Sequence, residues 1–293
     1  MTHKLALGTV QFGMHYGVAN LVGKLDKSEV RHVLQIAKKF GIDTLDTAID
    51  YGDSEECLGT ENVELFNVIT KLPSVPKNYI NIHHWVHSQI SASLKRLSIS
   101  KLDSVLLHRS SDIIGQYAAA YQSALQDVKA QGLCQFVGVS IYSTDELDSI
   151  WNHPLGWRPD IIQAPLNVFD QRLINSGWLN KLNAEGVRIH TRSTFLQGLL
   201  VMPSQSRPVF FKPWFDLLNS WIAWCEAQSI SPLKAAINFV YNHPGIEKVV
   251  IGVDSAKQFE DILVQLSADC PKPPAHLMSD DIDLINPSRW KLV

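Results

Sequence analysis

The feature that most limits how this chain can fold is an alternation, repeated along the chain, of a short apolar run and a longer segment with apolar residues at helical spacing. The first run is LALGTV at 5–10. It is followed by a segment from Asp26 to Phe40 with Val30, Val33, Leu34, Ala37 and Phe40 on one side. Gly41 stops that helix, because glycine tolerates the left-handed conformation of a helix end, and IDTLD at 42–46 starts a second strand. FNVITK (66–71), LDSVLLH (102–108), QFVGVS (135–140), DIIQA (160–164), VRIHTR (187–192) and KVVIGV (248–253) read as the remaining strands. Helices are predicted between them at 85–97, 113–131, 144–151 and 173–185, over 215–241 with an interruption at Pro232, and at 256–266.

Strands alternating with helices pair in parallel through crossover connections. Eight such units in 293 residues predict one (β/α)8 TIM barrel over 1–293. A doubly wound sheet is the alternative, but no GxGxxG follows an early strand. The PKPP segment near 271 reads as the lead into a C-terminal tail.

Composition removes several classes of function. A net charge of −3 and a pI near 6.4 provide no basic field for nucleic acid or an anionic membrane. Cys57, Cys134, Cys225 and Cys270 have neither disulfide-framework nor zinc spacing. No apolar run reaches the roughly 20 residues of a membrane span, and the first residues lack the form of a signal peptide, so a cytoplasmic protein is expected. GxSxG and GxxxxGK[ST] do not occur, which leaves hydrolase and P-loop chemistry without support.

In a barrel of this kind the chemistry lies at the C-terminal strand ends. Those ends carry Asp46, Lys71, His108, Ser140, Gln163 and Arg192, with Tyr51 in the loop after the second strand. Singly, each has an ordinary role: a turn cap, a solvated lysine, a satisfied histidine, a loop aromatic. Together they favour proton chemistry, because charges at three successive strand ends cost several kcal/mol unless paired. A lysine beside a tyrosine is expected to lower the phenol pKa, a carboxylate to hold the lysine, and a histidine to orient a carbonyl oxygen that the tyrosine protonates. A Schiff-base aldolase would also use Lys71, but it has no need of Tyr51.

The segments LGTVQFG (7–13), GIDTLDTAIDYGDSEECLG (41–59), ITKLP (69–73), LKRLSISKLDSVLLH (94–108), VGVS (137–140), IIQAPLNVFD (161–170), FLQGLL (195–200) and VVIGVDSAKQFED (249–261) resemble the aldo-keto reductase family over nearly the whole chain. The resemblance implies Asp46, Tyr51, Lys71 and His108 as a catalytic tetrad without metal. It also implies a nicotinamide cofactor across the barrel mouth, NADPH first and NADH second, and a small carbonyl substrate. Ser140 and Gln163 match positions that hold the carboxamide, Gly8 and Thr9 the turn near the ribose, and Gly252 to Asp261, with Ser255 and Lys257, the adenosine phosphates. Three positions depart from the family pattern. Ile141 stands where Asn is common, and Arg192 where an aromatic often stacks under the nicotinamide. The loop after the last strand offers Asp254 and no arginine. These departures keep open a second reading, a non-catalytic cofactor-binding barrel acting as a redox sensor or complex subunit.

His15, Tyr16, Trp85, Arg109, Phe195 and Trp214 are candidate pocket residues, with packing as the alternative for each. His83, His84 and His87 cluster at a helix start. With no supporting carboxylate or cysteine in the local sequence, they read as a solvated face.

Overall fold

A computed structural model describes residues 3–77 and 79–291. Eight parallel strands close into a barrel in sequence order: β1 (Leu5–Gly8), β2 (Thr44–Asp46), β3 (Asn67–Leu72), β4 (Leu102–Leu107), β5 (Cys134–Ser140), β6 (Ile161–Pro165), β7 (Arg188–Arg192) and β8 (Lys248–Gly252). The helices are α1 (Val10–Gly13), α2 (Lys27–Lys39), α3 (Ser54–Gly59), α4 (Ile82–Leu97), α5 (Ser111–Ile114), α6 (Ala118–Ala130), α7 (Thr144–Trp151), α8 (Arg172–Asn175), α9 (Trp178–Ala184), α10 (Phe215–Ala227), α11 (Pro232–Tyr241), α12 (Ala256–Val264) and α13 (Ile282–Ile285).

Local chemistry sets the helix ends. The Asp26 side chain accepts from Glu29 N–H at the start of α2, Asn81 does the same for His84 in α4, and Ser231 caps α11 just ahead of Pro232. Two expected helices are each divided: 113–131 becomes α5 and α6 around Gly115, and 173–185 becomes α8 and α9 around Gly177, whose φ is +81°. The first strand is also shorter than expected. Thr9 N–H donates to Asp46 C=O, and Val10 opens a helical turn.

Side chains alternate across each strand. Leu5, Leu7, Leu45, Val68, Val105, Val139, Ile162, Ile189, Val249 and Ile251 pack outward under the helices. Ile69, Leu106 and Ile161 form a separate cluster inside the barrel. Two residues beyond each of these, on the same inward face, stand Lys71, His108 and Gln163. Register aligns Asp46 with Ile69, Gly8 with Asp46 and Gly252, and Gln163 with Ser140 and His190. The period-2 pattern thus delivers the polar residues to one end of the barrel interior. No helix among the described residues is long and apolar enough to cross a membrane.

A second apolar cluster forms under the chain after β7, with Phe169, Leu196, Phe211, Trp221, Leu277 and Leu284 buried in it. The tail after the PKPP segment joins this cluster, where Trp290 meets Phe211 edge-on at 4.8 Å.

Candidate active site

At the C-terminal end of the barrel lies a cavity of about 180 Å³. Gly8, Thr9, Asp46, Tyr51, Gln163, Arg192 and Gly252 line it. Beneath it Lys71 is fully buried and donates from Nζ to Asp46 Oδ2 at 2.6 Å and to Thr47 C=O at 2.9 Å. The other Asp46 oxygen accepts from Gln163 Nε2 at 2.6 Å. Both buried charges are therefore paired and hydrogen-bonded, the condition under which such a pair is tolerated.

Lys71 meets the Tyr51 ring from beneath. Its ammonium lies 5.1 Å from the Tyr51 ring centroid, a cation–π contact, with its hydrogen bonds committed to Asp46 and Thr47. Desolvation, and then the Asp46 carboxylate, push the Tyr51 phenol above its ordinary range instead of below it. Burial likewise pulls the Lys71 ammonium down, against the opposing pull of Asp46. His108 meets Tyr51 edge-on at 5.8 Å. Burial first, then the Lys71, Arg192 and Arg109 charges, lower its pKa to about 3. A neutral imidazole therefore stands beside a protonated phenol.

Backbone contact between the end of α1 and the loop after β2 positions Tyr51. A Cβ on Gly13 would lie 1.7 Å from Tyr51 C=O and 2.5 Å from Ser54 N, and one on Gly52, whose φ is +57°, would lie 2.4 Å from Gly13 C=O. Ser54 Oγ then ties the start of α3 to Thr9. Gly13→Ala is therefore expected to force the Tyr51 loop outward. The cost of such overpacking is about 1–3 kcal/mol; thermal unfolding should show the lost stability and steady-state kinetics a reduced kcat. An alanine variant with unchanged melting and turnover would contradict this account of the loop.

Behind α3, the Glu55 carboxylate accepts from Thr70 and Ser93 hydroxyls at 2.6 Å each and pairs with Arg96. This buried brace fixes the residue next to Lys71. Sequence reading passed over it because its partners are spread over Thr70, Ser93 and Arg96.

The expected cofactor residues divide into two groups. Gly8, Thr9, Asp46, Gln163, Arg192 and Gly252 reach the cavity, and Ser140 is buried at the end of β5 in register with Gln163. Ser255 and Lys257 are not among the lining residues. The Ser255 hydroxyl accepts from Gln258 N–H as the cap of α12, and exposed Lys257 pairs with Asp261 at 2.6 Å. Arg192 stacks on Tyr142 at 4.3 Å and donates to Ile141 C=O at 2.8 Å, so one guanidinium face is already covered. Ile141 itself is buried in the core.

Of the candidate pocket residues, Tyr16 and Phe195 line the cavity. His15 instead contacts Asn20 C=O, Trp85 packs in the core against Tyr121, Trp214 bonds to Asp281, and Arg109 is exposed. Asp254 and Gln258 line the cavity from within the expected Gly252–Asp261 segment, and Gln11 and Gln197 line it without having been anticipated. Ser193, Leu196 and Gln197 hold positive φ of 64°, 49° and 53° in the loop after β7. Non-glycine residues in that region carry strain, and no local sequence pattern announced it. His83 and His84 are exposed, in keeping with a solvated face, and Asp127 on α6 brings to His83 a carboxylate that the local sequence lacks.

Comparison with known proteins agrees with this geometry. The model of the Aldo/keto reductase family matches residues 4–272. The chain is similar to Oxidoreductase sirO of Leptosphaeria maculans, with 24% identity over 89% of this chain and 88% of that protein. It is also similar to an aldo-keto reductase of Mycobacterium tuberculosis, with 25% identity over 56% of each. Among solved structures, the holo form of an aldo-keto reductase from Bacillus halodurans superposes with a TM-score of 0.72 at 17% identity, covering 94% of this chain and 89% of that one. A barrel closed in sequence order, with Asp46, Tyr51, Lys71 and His108 gathered at its mouth and a family match along most of its length, makes this chain an oxidoreductase belonging to the aldo/keto reductase family.

Proposed function

We propose that the chain reduces the carbonyl of a small aldehyde, ketone or sugar, or oxidises the corresponding alcohol, with a nicotinamide cofactor and with Tyr51 as the proton carrier. The observation that carries this reading is the buried Lys71–Asp46 pair under Tyr51, with a neutral His108 at the edge of the tyrosine ring. The residues suit such a cofactor. Gln163 Oε1 is buried with no hydrogen-bond partner among the described residues, an acceptor left for an amide N–H. Gly8 and Gly252 keep the wall beside it free of side chains, and a Cβ on Gly252 would come within 2.7 Å of the Gln11 amide. Gln163 and Ser140 would hold the carboxamide, and Gly8 and Thr9 the ribose turn. When bound, the reduced nicotinamide supplies the hydride.

The protein's own residues do the rest. His108, neutral and edge-on to Tyr51, donates N–H to the carbonyl oxygen and fixes its position. The Tyr51 phenol, protonated throughout the neutral range, delivers its proton to that oxygen as negative charge develops. Lys71 places a fixed positive charge under the ring, which favours the phenolate left behind, while Asp46 holds the lysine in place. In the oxidative direction Tyr51 takes the proton back.

NADPH is the expectation from resemblance, and one contact favours NADH as a second reading. Glu29 Oε1 accepts Ala256 N–H at 2.6 Å, so a carboxylate already sits on the first turn of α12, where a 2′-phosphate would seek free N–H groups. Asp254 adds a second carboxylate on the cavity wall.

Fluorescence titration with NADPH and NADH tests both the function and the cofactor. On the NADH reading, Glu29→Gln raises NADPH affinity several-fold and leaves NADH nearly unchanged. NADPH binding tens of times tighter than NADH in the unaltered chain would remove that reading. If neither cofactor binds, the reductase has no hydride source.

A further inference from the structure

Away from the barrel mouth, α4 and α6 bring together three metal-ligating side chains that the carbonyl chemistry does not use. His83 and His87 lie one helical turn apart on α4, the i,i+4 spacing that sets two side chains on one face. Their rings stack at 4.7 Å between centroids, inclined by 23°. Asp127 approaches from α6, its carboxylate in contact with His83 Nε2. One ligand atom from each of the three residues falls within 4.8 Å of the others.

An ion pair between His83 and Asp127 accounts for two of these groups. It does not account for His87, whose Nε2 is buried without a hydrogen-bond partner among the described residues. A buried polar atom left unsatisfied is costly, and native structures rarely leave one without a role.

We propose that His83, His87 and Asp127 form a binding site for a divalent transition-metal ion that bridges α4 and α6. Two imidazoles and one carboxylate suit a borderline ion such as zinc, cobalt(II), nickel or copper(II), whereas magnesium and calcium prefer all-oxygen sites. Bonds of about 2.1 Å at the tetrahedral angle put ligand atoms about 3.4 Å apart. The ion therefore enters by parting His83 from Asp127 and drawing His87 in, movements within reach of side-chain rotation at half-exposed His83 and Asp127. Water fills the fourth position. The site lies outside the residues placed in the carbonyl chemistry, so its occupation fastens two helices of the outer wall and takes no part in proton transfer.

The test is a cobalt(II) titration of the full chain after treatment with a chelator, followed by displacement with zinc. One equivalent should bind with the visible absorption of a tetrahedral cobalt centre, and zinc should raise the melting temperature. His87→Ala and Asp127→Asn should each weaken binding at least about tenfold and abolish the zinc-dependent rise, while His84→Ala changes neither. His83→Asn, at an exposed position, gives a second loss-of-ligand variant should His87→Ala perturb the helix. Absence of stoichiometric binding at micromolar cobalt overturns the proposal. So does binding that survives in a His83→Asn, Asp127→Asn double variant, which would place the ion on other histidines or on the cysteines.

Discussion

Tyr51→Phe should leave a folded, cofactor-binding chain that reduces carbonyls about 10²- to 10⁴-fold more slowly, the range over which a positioned general acid contributes. The ring's contacts survive this change. Phenylalanine still meets His108 edge-on and still lies over the Lys71 ammonium, contacts that run at 5.8 and 5.1 Å in the parent. Only the proton is lost. Because desolvation holds the phenol above its ordinary range, the parent is protonated throughout neutral pH, and its reductive turnover should not fall until the medium is well alkaline. Aldehyde-dependent oxidation of the reduced cofactor measures the loss, and cofactor titration by fluorescence shows whether binding is retained. A phenylalanine variant with parental kcat would sink the assignment of Tyr51.

Lys71→Met should damage both turnover and stability. The methionine retains the length of the side chain but leaves the Asp46 carboxylate buried without its cation, and breaking a buried pair in this way costs about 3–5 kcal/mol. Turnover should fall by orders of magnitude, because no positive charge remains beneath the phenolate as it forms. The two effects can be separated. In Lys71→Met with Asp46→Asn, the uncompensated charge is gone, so denaturant unfolding should recover much of the lost stability while kcat stays low. If the double variant recovers turnover along with stability, Lys71 is structural only. The prediction rests on the 2.6 Å contact to Asp46 and on burial of the ammonium.

Much of this architecture was legible in the chain. Apolar runs of period 2 ahead of segments of period 3.6 leave few folds open, and closure of eight parallel strands is the solution that covers every strand on both faces. The barrel reading also predicted that Asp46, Lys71, His108, Ser140, Gln163 and Arg192 stand at the C-terminal strand ends, and the strands end at or beside them. Helix breaks were less legible. Gly115 and Gly177 divide helices that apolar spacing alone runs together, because periodicity averages over a window and does not register one turn of changed direction.

The sequence by itself determined the barrel, and which polar residues gather at the C-terminal end of its strands, because both follow from alternation along the chain. The tertiary structure decided which of those residues touch. Lys71 spends its hydrogen bonds on Asp46 and Thr47 and not on the tyrosine hydroxyl; Gln163 also binds Asp46; Arg192 lies against Tyr142. Glu29 reaches Ala256 across 227 positions, and Asp127 completes the histidine pair from another helix. Such contacts depend on how separate elements pack, and no spacing within one element encodes them. The direction of the Tyr51 pKa shift belongs here too, since desolvation is a property of everything packed around a group and not of its neighbours in the chain.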